Sequence, residues 1–416
     1  MYCRIIASLL LICMATLSLG CFGSRETDEV AYVLAIGIDK SDEAGMINVT
    51  YQIAIPRTLA GGPAAGAKSE KDVIDVTIKA PSLAEARSLL NSVESRAANL
   101  SHNKIFIFGE EYAREGIGDV LGPLLRFREF RGSMFIMVVK DDTAKNYINK
   151  NKPKLEALPS RFYESMFLTS GETSYYLQTF LHDFYTRLKS GGASPITALG
   201  GIYSDSSPVE PATPPNPPGK ANEYTGSLPR QREEDNPAEL IGTALFKQDK
   251  MVGTLTSNET RMLAILDNKF HKGFFVLEDP LMPNKSVHVN LRLGHGPEIK
   301  ADSREGQAFI TIDIFLEGEI TSIPSGINYE QREYRTILEQ EVSQVIRQDM
   351  LKMISKTQRL GVDPAGFGDH FRKNFATLQQ FENAHWDKLY QQAEINVSVD
   401  TKLRRSGLLW KTSPIM

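Results

Sequence analysis

The chain has 416 residues, of which 41% are hydrophobic and 24% charged, and this composition is typical of an ordinary globular protein. Its formal net charge of −4 argues against a nucleic-acid-binding protein, because that class usually carries a basic surplus. All three cysteines lie within the first 21 residues, at Cys3, Cys13 and Cys21. The rest of the chain therefore has no thiol for a disulfide, a thiolate nucleophile or a metal site.

The N-terminus has the pattern of an export signal. Arg4 is followed by an apolar run from Ile5 to Leu19, which is shorter than the roughly 20 residues that a membrane span needs. A basic residue before a short apolar run is typical of a signal peptide. We therefore predict a signal peptide over residues 1–20.

A cysteine follows this predicted signal peptide directly, as in bacterial lipoproteins. The small residue Gly20 gives a signal peptidase access to the bond before Cys21, whose thiol can then carry a diacylglyceryl group. Each lipid methylene buried in the bilayer contributes about 0.8 kcal/mol. Ser18 and Leu19 place the usual lipobox pattern one residue out of register, which leaves a plain signal peptide or an uncleaved anchor as alternatives. We predict lipid attachment at Cys21 and a lipidated tether over 21–29.

The first folded block is predicted over residues 30–200 and mixes strands with helices. Val30 to Ile38 is a continuous apolar run, typical of a buried strand. Residues 47–55 alternate between apolar and polar side chains, which predicts a strand with one buried face and a hairpin with the first. Further strands are predicted over 73–79, 104–108 and 134–139, with helices beginning at Ser82, over 117–127, and after Asp141 or Asp142 as cap.

Proline dominates the next stretch, predicted as a linker or long loop over 201–237. Six prolines lie between Pro208 and Pro218, and proline fixes its own φ and lacks an N–H donor. The stretch is therefore predicted to be extended. A spacer is favoured over a polyproline II motif for a partner.

The second folded block is predicted over residues 238–410. A strand is predicted over 240–246, and alternating patterns predict half-buried strands over 287–293, 310–316 and 395–403. Tyr329 to Lys356 has an apolar stripe with a period of 3.6 residues, which predicts a long amphipathic helix. The aromatic segment 367–390 favours further helix. Together the two blocks predict an α+β, multi-domain protein with mixed or antiparallel sheets and packed helices.

Motifs that carry catalytic chemistry are incomplete in this sequence. Gly366-Phe367-Gly368 begins like the phosphate-binding G-x-G-x-x-G loop, but Phe371 stands where the third glycine belongs. The seven histidines include no H-x-x-x-H pair, and no G-x-S-x-G nucleophile elbow is present. Adjacent acids such as Glu110 and Glu111 are typical of a charged surface. We therefore predict no catalytic residue, cofactor or metal, and a role in binding or assembly.

Several short motifs stand in order along nearly the whole chain. They are Arg25-Glu26, Gly37-Ile38-Asp39, Gly242 to Phe246, Val252-Gly253, Glu259-Thr260-Arg261, the helix from Tyr329 to Lys356, Asp363 to Gly368, Trp386, Ile395 to Leu403 and Arg404 to Gly407. In their order and spacing, these segments resemble the Ger(x)C family of spore germination lipoproteins. The chain departs from the family at Phe22, where tryptophan is usual, and in the length of its Pro-rich stretch.

The resemblance implies a C subunit of a nutrient germinant receptor. Such a subunit acts with A-type and B-type subunits in the inner membrane of the dormant spore. It also implies that a lipid on Cys21 holds the chain in the bilayer, on the outer face of the cytoplasmic membrane. It carries over no catalytic or ligand residue. Two alternatives stay open: a solute-binding lipoprotein of an envelope transporter, and an envelope hydrolase that uses scattered carboxylates.

The shared residues lead to structural expectations of their own. Gly37 and Gly242, inside predicted strands, indicate a bulge or a close backbone approach. Gly366 and Gly368 suit a turn. The segment from Glu259 to Arg261 is interpreted as a capped turn with an ion pair, with a partner contact as the alternative.

Overall fold

The fold comes from a computed structural model, described over residues 29–55, 73–156, 158–203 and 236–405, with Tyr2 and residues 4–6 near the N-terminus. Cys21 and the prolines from Pro208 to Pro218 lie outside these residues. No helix in the described ranges is both long and apolar enough to cross a membrane. The predicted α+β class is confirmed, because the described ranges form two sheets with helices packed against them.

The first sheet has nine strands in the order β3-β2-β1-β5-β6-β7-β8-β9, with the short β4 beside β1. Its centre, β1-β5-β6-β7, is parallel, and antiparallel strands flank it on both sides. Continuous apolar runs form this centre because its strands are covered on both faces. The strands are β1 (Val30–Lys40), β2 (Ile47–Ala54), β3 (Val73–Ala80), β4 (Ala97–Asn99), β5 (Ile105–Gly109), β6 (Phe135–Val139), β7 (Ile196–Ile202), β8 (Ala238–Lys247) and β9 (Lys250–Leu255).

Helices cover both faces of this sheet. On one face, three helices contribute Leu90, Leu121 and Phe184 to a core that they share with the strands. Tyr147 and Phe167 come from helices on the opposite face and form a second core. The helices are α1 (Leu83–Val93), α2 (Glu110–Glu115), α3 (Gly118–Arg126), α4 (Ala144–Lys150), α5 (Pro159–Leu168) and α6 (Leu181–Ser190).

The second sheet is built around one long strand, β13. Its first half pairs with β12 and its second half with β11, both antiparallel, while β14 runs parallel along its other edge. Alternate residues such as Ile310, Ile312 and Ile314 are buried, as the period of two predicts. The strands are β10 (Gly273–Glu278), β11 (Ser286–Leu293), β12 (Glu298–Arg304), β13 (Gln307–Ser322) and β14 (Glu394–Arg405).

A long helix packs along β14 and confirms the clearest helical prediction. The apolar stripe of this helix, α8 (Arg332–Leu360), is buried from Leu338 to Ile354. It ends at Gly361, whose φ of +67° suits glycine as a left-handed cap. Tyr329, where the predicted helix begins, precedes the observed one, and its buried hydroxyl donates to Asp279 Oδ1 at 2.5 Å. The other helices here are α7 (Ser257–Leu266), α9 (Phe367–Phe371), α10 (Leu378–Asn383) and α11 (Trp386–Gln392).

The first sheet extends across the boundary predicted at Ala238. β8, which follows the Pro-rich stretch, pairs antiparallel with β7, which precedes it. Tyr203 N also donates to Pro237 O at 2.9 Å, just beyond the pair. The boundary at 238 therefore does not coincide with a change of sheet. The strands on either side of the Pro-rich stretch are therefore direct neighbours in one sheet.

Two local predictions are corrected. Neither Asp141 nor Asp142 caps α4; the cap is Thr143, whose Oγ1 accepts the N–H of Asn146 at 3.0 Å. The helix predicted to begin at Ser82 has apolar residues at helical spacing as far as Ala97, which predicts that Ala97 lies on its face. Ala97 instead begins β4, because α1 ends at Val93 and Ala97 pairs with β1.

Candidate functional site

The Gly-Ile-Asp motif joins β1 to α4. Asp39 is 5% exposed, and its two carboxylate oxygens accept the N–H groups of Ala144 and Lys145 at 2.7 and 2.9 Å. Burial raises the pKa of Asp39, although these hydrogen bonds act in the opposite direction. A Cβ on Gly37 would lie 2.8 Å from Ile148 Cδ1, so the strand and the helix approach too closely for a larger residue. This motif is a packing joint.

Gly242 forms the bulge that the sequence indicates. The register of β7 and β8 shifts opposite this residue, and its φ of +95° favours glycine. A Cβ there would lie 2.5 Å from the carbonyl oxygen of Leu255 in β9. The bulge directs the Gly242 N–H to Tyr175 O at 2.7 Å. The glycine is thus required by the backbone.

The Glu-Thr-Arg motif begins α7 with a capping box. Thr256 N–H donates to Glu259 Oε2 at 2.9 Å, and Glu259 N–H donates to Thr256 Oγ1 at 3.3 Å. Lys356 of α8 adds an ion pair to Glu259 Oε2 at 2.6 Å. This is the capped turn with an ion pair that the sequence favours. It ties α7 to the long helix.

Arg261 is the most enclosed cation of these motifs, with 4% of its surface exposed. Its Nε donates to Thr173 O at 2.9 Å and its Nη1 to Phe274 O at 2.8 Å. The guanidinium carbon lies 4.1 Å from the centre of the Tyr175 ring and 4.8 Å from that of Phe275. The side chain therefore links the segment around Thr173 to β10 by hydrogen bonds and cation–π contacts.

Asp363 organises the Asp-x-x-Gly-Phe-Gly motif from its centre. This 3%-exposed carboxylate accepts the N–H groups of Gly366 and Gly368, both at 2.9 Å, and the Trp386 Nε1–H at 3.0 Å. Its burial raises the pKa to about 6 despite these donors. Gly366, at φ +74°, supplies the turn that the sequence predicts, and a Cβ on Gly368 would lie 2.5 Å from Gly192 O.

The same loop is bound to the elements of the first sheet. Ser194, just before β7, exchanges two hydrogen bonds with the backbone of Asp363, at 2.7 and 2.8 Å. Arg187 of α6 donates to Pro364 O at 2.6 Å and pairs with Asp267 at 2.9 Å. Asp363 therefore belongs to a buried joint between the elements before and after the Pro-rich stretch.

The carboxylates of Asp39, Glu259 and Asp363 all accept hydrogen bonds from the fold itself, and the nearby cavities are small. Two cavities flank the segment around Ser174: one of about 160 Å³ next to Lys269 and His271, and one of about 80 Å³ next to Arg261. Sites for small molecules usually enclose about 300 Å³ or more. Throughout the described ranges, no three His, Cys, Asp or Glu side chains converge as a metal would require.

The predicted lipid site itself, Cys21, lies outside the described residues, but the start of the fold limits its position. Glu29 O accepts the Ala97 N–H at 3.1 Å, where β4 joins β1. The parallel strands β1, β5, β6 and β7 all begin at this side of the molecule, which we call the amino-terminal end of the first sheet. From Cys21 to Glu29 a fully extended chain spans at most about 28 Å.

Two models of known protein families match this chain, one on each side of the Pro-rich stretch. The family model described as "Spore germination protein N-terminal domain" matches residues 23–200, and "Spore germination B3/GerAC like, C-terminal" matches residues 241–407. The chain is 24% identical to the putative spore germination protein YfkR of Bacillus subtilis, over 97% of this chain and 96% of the relative. It is 22% identical to spore germination protein KC of the same organism, over 99% and 97%.

The fold also has a solved counterpart. The crystal structure of the GerBC protein matches with a TM-score of 0.52 at 17% sequence identity, over 89% of this chain and 96% of that one. An identity this low shows similarity of fold. Together, the two family models and the ordered motifs show that the chain belongs to the Ger(x)C family of spore germination proteins.

Proposed function

We propose that this protein is a non-enzymatic lipoprotein subunit of a germinant receptor in the spore inner membrane, and that nutrient-triggered germination requires it. The observation that carries the proposal is the match of both family models to this chain, together with the ordered set of motifs. Gly37, Gly242, Glu259 and Asp363 serve the packing of the fold. A scaffold or coupling role follows, since shared residues of an enzyme would be expected to converge on a cleft.

A lipid on Cys21 would hold this subunit on the outer face of the cytoplasmic membrane, which becomes the inner membrane of the spore. Its partners there are A-type and B-type receptor subunits and the bilayer itself. We call the segments 30–200 and 238–410 the first and second units. They share one sheet, because β8 of the second unit pairs with β7 of the first.

The experiment that tests this proposal is deletion of the gene, followed by germination with nutrients and with calcium dipicolinate. We expect the deletion strain to lose most of its nutrient response and to respond normally to calcium dipicolinate. A copy of the gene at another locus should restore the nutrient response. An unchanged nutrient response in a strain without paralogues would overturn the proposal.

The alternative, a solute-binding lipoprotein hinged at the Pro-rich stretch, is less favoured. Ligand closure would need the two units to move about that stretch, but β7 and β8 are hydrogen-bonded neighbours across it. The cavity of about 160 Å³ near Lys269 is also small for a nutrient. Calorimetry of the purified chain with amino acids, sugars and nucleosides separates the two functions, because a solute-binding protein should bind one of them directly.

A further inference from the structure

We propose that the amino-terminal end of the first sheet binds anionic lipid headgroups through three arginines, Arg126, Arg128 and Arg131, which we call the arginine segment. This contact would act in addition to the lipid on Cys21. This proposal rests on the proposed function, because that function places the protein beside a membrane. Its own basis is the position and the charge of the segment.

The segment lies where the tether joins the fold. Helix α3 follows β5 and returns to the start of β6, so that its last residue, Arg126, is at the amino-terminal end. Glu129 Oε2 then accepts the Leu100 N–H at 3.0 Å, which fixes the segment beside β4. β4 in turn pairs with the first residues of β1. Because Cys21 is at most about 28 Å from Glu29 along the chain, a lipid there would keep this end close to the bilayer.

The charges of the segment are available for a ligand. Arg126, Arg128 and Arg131 are all exposed, and within the described ranges none of their guanidinium groups has a hydrogen bond or an ion pair. The acid among them, Glu129, is already engaged, because its Oε1 accepts from Arg87 Nη2 at 2.5 Å. The segment therefore presents unpaired positive charge, although the protein as a whole is negative.

The other charges at this end carry both signs. Arg96 is half-buried next to Ala97, and Lys104 pairs with Glu164 at 3.2 Å. The acids without a described ion pair are Glu29, Glu94 and Asp183, and Asp183 Oδ2 accepts the Phe180 N–H at 3.4 Å. The sequence of the tether adds Arg25, Glu26 and Asp28. These charges balance over the whole end, and the basic ones are concentrated in the arginine segment.

An exposed apolar side chain accompanies the arginines. Val93, the last residue of α1, is 63% exposed at the same end. Basic side chains next to exposed apolar ones suit a membrane interface, where headgroups attract the charge and the acyl boundary accepts the apolar group. An anionic lipid surface is therefore the partner that fits this end, and nucleic acid is disfavoured by the overall charge.

The test uses the full chain carrying Cys21→Ala, so that no variant bears the lipid. Binding is measured by cosedimentation with phosphatidylcholine vesicles that do or do not contain phosphatidylglycerol, at low and high salt. Vesicles of phosphatidylcholine alone report any binding by the apolar N-terminal run. We expect stronger binding to the anionic vesicles and weakening by salt, since charges are screened.

The decisive variant adds Arg126→Gln, Arg128→Gln and Arg131→Gln to this chain. We expect its binding to anionic vesicles to fall at least about tenfold, because each basic residue near such a surface strengthens binding roughly fivefold. The matched control removes equal charge from exposed lysines of the second unit, by Lys300→Gln, Lys373→Gln and Lys388→Gln. It should bind as the parent does.

Two results overturn the proposal. One is equal binding by the arginine variant and its parent, with both showing the same thermal unfolding. The other is equal binding of the parent to neutral and anionic vesicles. Either result leaves the role of Cys21 untouched, because that role is measured by the lipidated protein in cells.

Discussion

The indole nitrogen of Trp386 donates a hydrogen bond to the carboxylate of Asp363 across 3.0 Å, where both residues are buried. The acceptor starts the Asp-x-x-Gly-Phe-Gly motif, and the donor begins helix α11. Since Asp363 also binds Ser194 through its backbone, this contact holds together segments from both matched family regions.

Stability should depend on pH through Asp363. Burial raises its pKa from 3.8 to about 6, so the folded state binds this proton more tightly than the unfolded state. The free energy of unfolding should therefore fall as pH rises from about 4 to about 6, by up to about 3 kcal/mol. Urea unfolding of the wild type and Asp363→Asn across this range checks it. The variant should lack this part of the slope, and identical slopes would contradict the assignment.

Gly37→Ala should destabilise the joint between β1 and α4. The new methyl group would lie 2.8 Å from Ile148 Cδ1 and 3.0 Å from Ala144 Cβ, and overpacking of this kind costs about 1–3 kcal/mol. Ile148→Val removes the nearer atom. Denaturant unfolding of both single variants and the double variant should therefore reveal favourable coupling. Strictly additive effects would show that the two residues do not compete for space.

Arg261→Lys should be a costly change despite keeping the charge. A lysine ammonium cannot reproduce the planar fork that reaches Thr173 O and Phe274 O between two rings. We expect a loss of about 2–4 kcal/mol in the free energy of unfolding. Arg359→Lys, an exposed change on α8, is the control and should shift it by less than about 0.5 kcal/mol. Comparable losses in the two variants would argue against the role of Arg261.

Cys21→Ala should release the protein from the membrane fraction, because the lipid chains supply the hydrophobic attachment. Cys13→Ala, inside the predicted signal peptide, is the matched control and should leave the distribution unchanged. Fractionation of cells followed by immunoblotting measures both. Retention of Cys21→Ala in the membrane at the level of the wild type would indicate that partners or an uncleaved signal hold the protein there.

Local sequence patterns predicted the elements well where one face of an element is buried. The alternation over 310–316 reappears inside the longer strand β13, and α8 begins and ends within four residues of its predicted bounds. The capped turn interpreted at Glu259 is present, and its local signal is a Thr followed three residues later by Glu.

Contacts between distant parts of the chain could not be predicted from local sequence patterns. Asp39 accepts two N–H groups from the first turn of a helix that begins 105 residues later, and nothing in either segment alone specifies the other. For the same reason, the pairing of β8 with β7 was not predicted. The Pro-rich stretch between them indicated a boundary, whereas strand pairing depends on the whole sheet.

The pairing of β7 with β8 makes the Pro-rich stretch a tolerant position for insertions. The sheet holds both ends of the stretch at Tyr203 and Pro237, and doubling the length of a closed loop costs only about 0.6 kcal/mol. Relatives can therefore diverge in length here without altering their cores. A fluorescent reporter or affinity tag placed between Pro208 and Pro218 should be carried by the intact protein, which gives a means to locate it in living spores.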